Sequence, residues 1–392
     1  MRRPTPPRDA LPAKRIVIAM DSFKGSVTSA QACEAVRKGA LRAAPDAVVT
    51  VIPVADGGEG TLDALAGVGR PGSVEAVDLL GRPLRAAHLM LGDAAVIESA
   101  TTVGLGLLGE VSRELARRAH SYGLGLQIAR VAALEGPSRL LVGLGGTGCT
   151  DGGVGALLAL GARMWDASGA ELFAGGAVPD SNPLLARPAS VELPARLPYG
   201  VIGLADVESP LLGPSGAARM FGPQKGADAA LVDEFESAME AWSAALRAAG
   251  TDVAGVPGAG AAGGLGAAIL ALGGSIEGGL ERIVNEAGAG AALAAADLVI
   301  TGEGSLDAQT GLGKVPGAIA RLAKSGGRAP VVIALVGRVE GDAHGAIDAA
   351  FCIHSRPRSL AEAMDPDVTL AELAATAERV VHDWIENTNP RS

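Results

Sequence analysis

Between Asp297 and Lys314 the chain reads DLVITGEGSLDAQTGLGK. A short apolar strand, Asp297 to Thr301, gives way to a loop with glycines at 302, 304, 311 and 313, and an apolar helical run from Val315 to Leu322 follows. Strand, polar glycine-rich loop and helix is how α/β proteins present chemistry at the carboxyl ends of their strands. Glycine lets backbone amides approach an anion, carboxylates hold a cation, and a lysine neutralises phosphate. The plainer reading is a solvated connection in a glycine-rich chain, since 56 of 392 residues are glycine. Further loops of the same kind weigh against it.

Arg15 to Met20 (RIVIAM) reads as a buried strand ending at Asp21. The loop DSFKGSVTS follows, then a helix over Ser29 to Ala43, with Thr28 and Gln31 at capping-box spacing. Ala47 to Ala55 is a second strand that runs into Asp56 and DGGEGT, with a helix starting near Thr61. Such repeated units indicate a parallel sheet. From Val74 to Ala100 the pattern changes to short strands with turns. Arg139 to Leu144 is a strand feeding GGTGCTDGG and an apolar helix from Val154 to Leu160, and residues 166–200 read as proline-dotted and irregular. A strand near Val201 to Ala205 ends at Asp206, and a long amphipathic helix covers Ala229 to Ala249. The last third returns to strand–helix units. The expected fold is α/β. A doubly wound, Rossmann- or flavodoxin-like domain (14–75 with 285–392) is interrupted by an inserted α/β domain (76–284), after a floppy tail at 1–13.

The length allows two domains, and with aromatics at 3% the core must be built from Ala, Val, Leu and Ile. A net charge of −10 argues against a general nucleic-acid binder. Lysine is scarce beside arginine, and Lys24, Lys225 and Lys314 all sit in polar, glycine-containing loops, where a compact charge suits phosphate. Cysteines 33, 149 and 352 have neither metal nor disulfide spacing. No apolar run approaches the roughly 20 residues of a membrane span, and the start lacks a signal peptide's apolar segment. A cytoplasmic protein is expected.

GxGxxG occurs at Gly143-Gly145-Gly148 and Gly258-Gly260-Gly263, a pattern of little weight at this glycine content. The first follows a strand, and Asp166 stands near where a ribose-binding acid would, which keeps an NAD-linked hydroxy-acid oxidoreductase as an alternative. A non-catalytic effector-binding protein is another. Gly313-Lys314 is not a Walker loop, because Ala308 and Val315 occupy its glycine and hydroxyl positions. More distinctive are ADGGEGT, GTGCTDGG and GEGSLDAQTGLGK, each with a carboxylate between glycines beyond a strand. That arrangement suits magnesium bridged to phosphates, or a base that takes a proton from a hydroxyl.

Taken together, DSFKGS (21–26), ADGGEGT (55–61), GGTGCTDGGVGALLALGA (145–162), PLLGPSGAARMFGPQKGA (210–227), PGAGAAGGLG (257–266) and DLVITGEGSLDAQTGLGK (297–314) resemble the bacterial glycerate kinase family, from about residue 15 to 385. The resemblance implies ATP- and Mg²⁺-dependent phosphorylation of D-glycerate, on the 2-hydroxyl in the branch most similar. It also implies two α/β domains with the active site between them, in a monomer or homodimer with no membrane or nucleic-acid partner. It departs at Ser209, where the family has Asn, and at His120-Ser121, where paired threonines precede Tyr-Gly.

Within that resemblance Lys24 would contact substrate carboxylate or phosphate, Asp56 and Glu59 would hold magnesium or act as base, and Gly145, Gly146, Thr147 and Gly148 would cradle phosphates. Asp151 would help with the metal and Asp206 would orient a hydroxyl. Glu303 would lie in the nucleotide site, Asp307 would be a second base or metal ligand, and Lys225 or Lys314 would stabilise the transferring phosphoryl group.

Overall fold

The structure, a computed structural model, describes residues 13–23, 25–52, 54, 57–195, 197, 199–306, 315–339 and 345–388. Its strands in chain order are β1 (Arg15–Met20), β2 (Val48–Val51), β3 (Arg70–Val77), β4 (Pro83–Leu91), β5 (Ala94–Glu98), β6 (Arg139–Gly143) and β7 (Arg163–Trp165). They continue as β8 (Glu171–Leu172), β9 (Ser190–Glu192), β10 (Gly200–Leu204), β11 (Ser275–Glu277), β12 (Leu298–Leu306), β13 (Val331–Val339) and β14 (Ala349–Cys352). Two compact units form, one from the described residues of Met1–Val54 with Gly288–Ser392, the other from those of Ala55–Ala287. The first crossing therefore falls at 54 rather than near 75. The helix Thr61–Leu65 goes with the second unit because Leu65 packs among Leu89, Leu91 and Val96 of β4 and β5.

In the first unit all strand pairs are parallel, in the order β14-β13-β12-β1-β2. Numbered within the sheet this is 5-4-3-1-2, the flavodoxin-like order, whose direction reverses between β1 and β12. Ile16, Ile18 and Met20 join the core beneath the helices Ser29–Ala43 and Pro366–Thr388. The alternate residues Val17 and Ala19 are equally buried, as a parallel sheet covered on both faces requires. The capping box of the first helix forms as read, with the Thr28 side chain accepting from the Gln31 amide and the Gln31 side chain from the Thr28 amide. Such a cap contributes about 1 kcal/mol. Cys33 lies in this core, its thiol pushed up by burial, whereas Cys352 at the end of β14 is exposed.

One expectation is corrected here. The stretch from 302 to 306 is not loop but strand, paired with β13 up to Leu306 opposite Val339. Its glycines serve packing rather than turning. A Cβ on Gly302 would overlap the Leu335 carbonyl, and one on Gly337 would stand 2.6 Å from the Gly304 carbonyl oxygen.

The second unit is built on a mixed six-stranded sheet, β11-β10-β6-β5-β4-β3, parallel from β5 to β11 and antiparallel from β3 to β5. Strand alternation splits its core. Leu89, Leu91, Val96 and Leu141 face one side, and Met90, Ala95, Ile97, Leu140 and Val142 the other. A further apolar layer gathers around Trp242 and Phe235 of the helix Ala229–Ala248. Residues 166–200, read as irregular, contribute β8 and β9 to a small antiparallel sheet with β7 in the order β8-β7-β9. These strands are two and three residues long, too short for their alternation to show. Among the described residues, no helix is long and apolar enough to cross a membrane.

Candidate active site

The parallel strands of the second unit end in register, with Glu98, Gly143, Leu204 and Glu277 in one row. The loop after residue 56 lies across that row. A Cβ on Gly143 would overlap the Gly57 carbonyl, one on Gly145 would stand 2.6 Å from the Gly58 Cα, and one on Gly57 would stand 2.7 Å from the Leu204 Cβ. Glycine is required on both sides because backbone presses on backbone. This brings Glu59, which is exposed, beside Gly146: its Oε2 would lie 3.7 Å from a Cβ there. Beneath the same loop the buried Glu98 accepts from the Leu62 amide at 2.6 Å. Burial chiefly raises its pKa, and Asp63 and Glu59 add to the rise.

The segment from Gly145 to Gly152 is held from three directions. An antiparallel bridge joins Gly104 to Thr147 through Leu105 N to Gly146 O (2.8 Å) and Gly148 N to Val103 O (2.7 Å). That pairing leaves the amides of Gly146 and Thr147 unused. The Lys225 ammonium, 3% exposed, donates to the Thr147 hydroxyl at 3.2 Å and the Cys149 carbonyl at 2.7 Å. Burial depresses its pKa, while Asp151 acts in the opposite sense. Behind it, Ala262, Gly263 and Gly264 run through three left-handed conformations. Gly263 accepts from the Gly152 amide at 3.0 Å, a close approach that a side chain would block. Farther round, Trp242 Nε1 donates to the Gly152 carbonyl at 3.0 Å.

Asp151 is fully buried, and its two oxygens accept four hydrogen bonds, from Ser121 N and Oγ, Gly153 N and Gly155 N. Three of these donors meet Oδ2 and one, Gly153 N, meets Oδ1. Beyond β10, Asp206 is exposed and accepts from the Gly279 amide at 3.1 Å, capping the helix Gly279–Glu286. Among the described residues no three His, Cys, Asp or Glu side chains group to hold a metal ion. Asp166 folds over its own turn, accepting from Ser168 N and Oγ and from Ala170 N, so it supports no ribose-binding role.

In the first unit Glu303 is buried on β12 opposite Val336. Lys24, Asp56, Asp307 and Lys314 lie outside the described residues. β1 ends at Met20 opposite Gly302 of β12, and the Asp21 amide bonds the Gly302 carbonyl at 2.9 Å. That is the switch point of the sheet, where open α/β sheets take their ligands. Thus Glu59, Gly145–Gly148, Lys225, Asp151 and Asp206 gather at one sheet edge of the second unit, and Glu303 belongs to the first. Two participants were missed, Ser121 and Glu98. Glu98 had a legible signal, an acid closing an apolar strand; Ser121 had none beyond its departure from the family pattern.

Comparison with known proteins places this geometry in context. The model of the glycerate kinase family matches residues 16–385. A glycerate kinase of Halalkalibacterium halodurans is 39% identical, over 95% of this chain and 99% of that protein. A glycerate 2-kinase of Escherichia coli K12 is 38% identical, over 89% and 93% respectively. A crystal structure from Salmonella typhimurium LT2, provisionally assigned as a glycerate kinase 2, superposes with a TM-score of 0.80 at 34% identity, covering 96% of this chain and 99% of that one.

Proposed function

Since the chain belongs to the glycerate kinase family and is a kinase, we propose that it transfers the terminal phosphoryl group of ATP, as the magnesium complex, to D-glycerate, and to the 2-hydroxyl in preference to the 3-hydroxyl. The oxidoreductase and effector-binding alternatives fall with that membership. The observation that carries the finer reading is the pressing of the 57–60 loop onto the ends of β6 and β10. It sets the exposed Glu59 carboxylate beside Gly146.

The site fits magnesium without an all-protein cage, because that ion keeps several waters and takes one or two carboxylates together with phosphate oxygens. Glu59 supplies one carboxylate at the turn, with Asp56 as its sequence neighbour in the same loop; the bound ion would neutralise charge developing on the phosphates. The amides of Gly146 and Thr147 donate to phosphate oxygens. Lys225 acts from below, holding the turn through Thr147 and Cys149. Asp206 orients a hydroxyl or its helix. Lys24 serves the substrate carboxylate or a phosphate, Asp307 the proton of the acceptor hydroxyl, Lys314 the transferring group, and Glu303 the nucleotide. Support for a 2-kinase comes from the likeness to the Escherichia coli enzyme.

Phosphorus NMR of the protein with MgATP and D-glycerate tests this. A new phosphoglycerate resonance split into a doublet by its proton is the expected product, whereas a triplet would assign the 3-phosphate. ATP left intact in the presence of D-glycerate overturns the substrate assignment.

A further inference from the structure

The Asp151 carboxylate is met by the beginnings of two helices. Ser121, directly before the helix Tyr122–Glu135, donates to Asp151 Oδ2 through both its amide and its hydroxyl, each at 2.7 Å. From the start of the helix Val154–Ala159, Gly155 N reaches the same oxygen and Gly153 N reaches Oδ1, both at 3.1 Å. The Ser121 hydroxyl in turn accepts from the Ala156 amide at 2.9 Å. Ser121 does not cap its own helix with its side chain. The hydroxyl is spent on joining the two helices through one carboxylate.

Ser121 and Asp151 are both 0% exposed. A Cβ on Gly155 would come 2.6 Å from the Tyr122 nitrogen and 2.9 Å from Asp151 Oδ2. The joint closes the segment that begins at Gly145. Its earlier half is fixed by the bridge to Gly104 and by Lys225; its later half is held by Asp151, with Asn182 Nδ2 donating to the Thr150 carbonyl at 3.0 Å. Three of the four donors meet Oδ2 and one meets Oδ1, so this carboxylate shapes the turn.

We propose that Ser121 is a positioning residue for phosphoryl transfer. Through Asp151 it holds the 145–151 segment in the shape that presents the Gly146 and Thr147 amides to phosphate. The proposal rests on the reading above that this turn takes the nucleotide phosphates. A hydroxyl is required at 121, and threonine supplies one as well as serine does.

The test is calorimetric titration with MgADP, paired with steady-state kinetics on ATP and D-glycerate. The proteins are wild type, Ser121→Ala, Ser121→Thr, Asp151→Asn and the Ser121→Ala/Asp151→Asn double variant. Ser121→Ala should weaken MgADP binding about tenfold and raise the KM for ATP to match, with the KM for D-glycerate unchanged. Ser121→Thr should stay within about twofold of wild type, and the double variant should lose no more than Asp151→Asn alone, because the two act by one route. Wild-type affinity in Ser121→Ala, or equal losses in the Thr and Ala variants, overturns the proposal. Should Ser121→Ala not fold, the near-isosteric Asp151→Asn decides: unchanged MgADP affinity overturns it. The binding arm separates the two readings. A wild type that takes MgADP but leaves D-glycerate untouched refutes the acceptor while still judging Ser121. A wild type that binds no MgADP refutes both.

Discussion

Lys225 places its ammonium 2.7 Å from the carbonyl oxygen of Cys149, inside a layer it shares with Gly263, where a Cβ would stand 3.0 Å from the same nitrogen. A buried cation held by the neutral oxygens of Thr147 and Cys149 costs folding energy, and chains keep such groups where the geometry is wanted.

Lys225→Met therefore removes the donor from both the Cys149 carbonyl and the Thr147 hydroxyl, and urea unfolding should show a loss of about 1–3 kcal/mol. The pH dependence has a definite sign. Burial holds the folded-state pKa below the ordinary lysine range. Between the folded and unfolded pKa values the unfolded chain binds more protons, so stability contributed at this position rises with pH. The advantage of wild type over Lys225→Met should widen as the buffer is made alkaline; a narrowing advantage would contradict burial as the cause.

Gly143→Ala drives a methyl group into the Gly57 carbonyl. We expect about 1–3 kcal/mol of destabilisation and a rise in the magnesium concentration needed for half-maximal rate, because Glu59 moves with its loop. Gly67→Ala is the control: nothing stands within 4 Å of a Cβ there, and the change should stay within about 0.5 kcal/mol.

Glu98→Gln keeps an oxygen for the Leu62 amide and removes an ionisation that burial disfavours. Since the folded-state pKa lies above the unfolded one, wild type is favoured at acid pH and loses that advantage as pH rises through the folded value. Denaturation between about pH 4 and about pH 7 should find the variant gaining on wild type as pH increases. A gain in the acid direction would mean the hydrogen bonds outweigh burial.

Asp56→Asn and Asp307→Asn address residues outside the described part of the chain. If one is the base and the other a metal ligand, each should lower kcat by about 10²–10⁴ with folding intact by circular dichroism. Near-normal turnover in both would remove them from the mechanism.

Local signals carried much of the fold. The capping pair Thr28 and Gln31, the strand Arg15–Met20 and the helix Ser29–Ala43 stand where spacing put them, because each depends on residues a few positions apart. The strand over residues 302–306 was hidden because Gly302, Gly304 and Gly337 look like loop residues, and only the neighbouring strand shows why side chains must be absent. At the site, the gathering of glycine loops was legible as a family pattern. The use of each carboxylate was not. Asp151 and Glu59 both stand among glycines in sequence, yet one meets four buried donors and the other solvent. That difference comes from helices begun at Ser121 and Gly153, far apart in the chain.

The placement of the cysteines supplies a native clock. Cys33 lies in the core of one unit and Cys149 beneath the turn of the other; burial raises both thiols, so neither offers thiolate to a reagent while its surroundings stay shut. Cys352 is exposed and answers at once. Alkylation followed by peptide mass spectrometry then times the opening of each unit separately, in a single unlabelled sample.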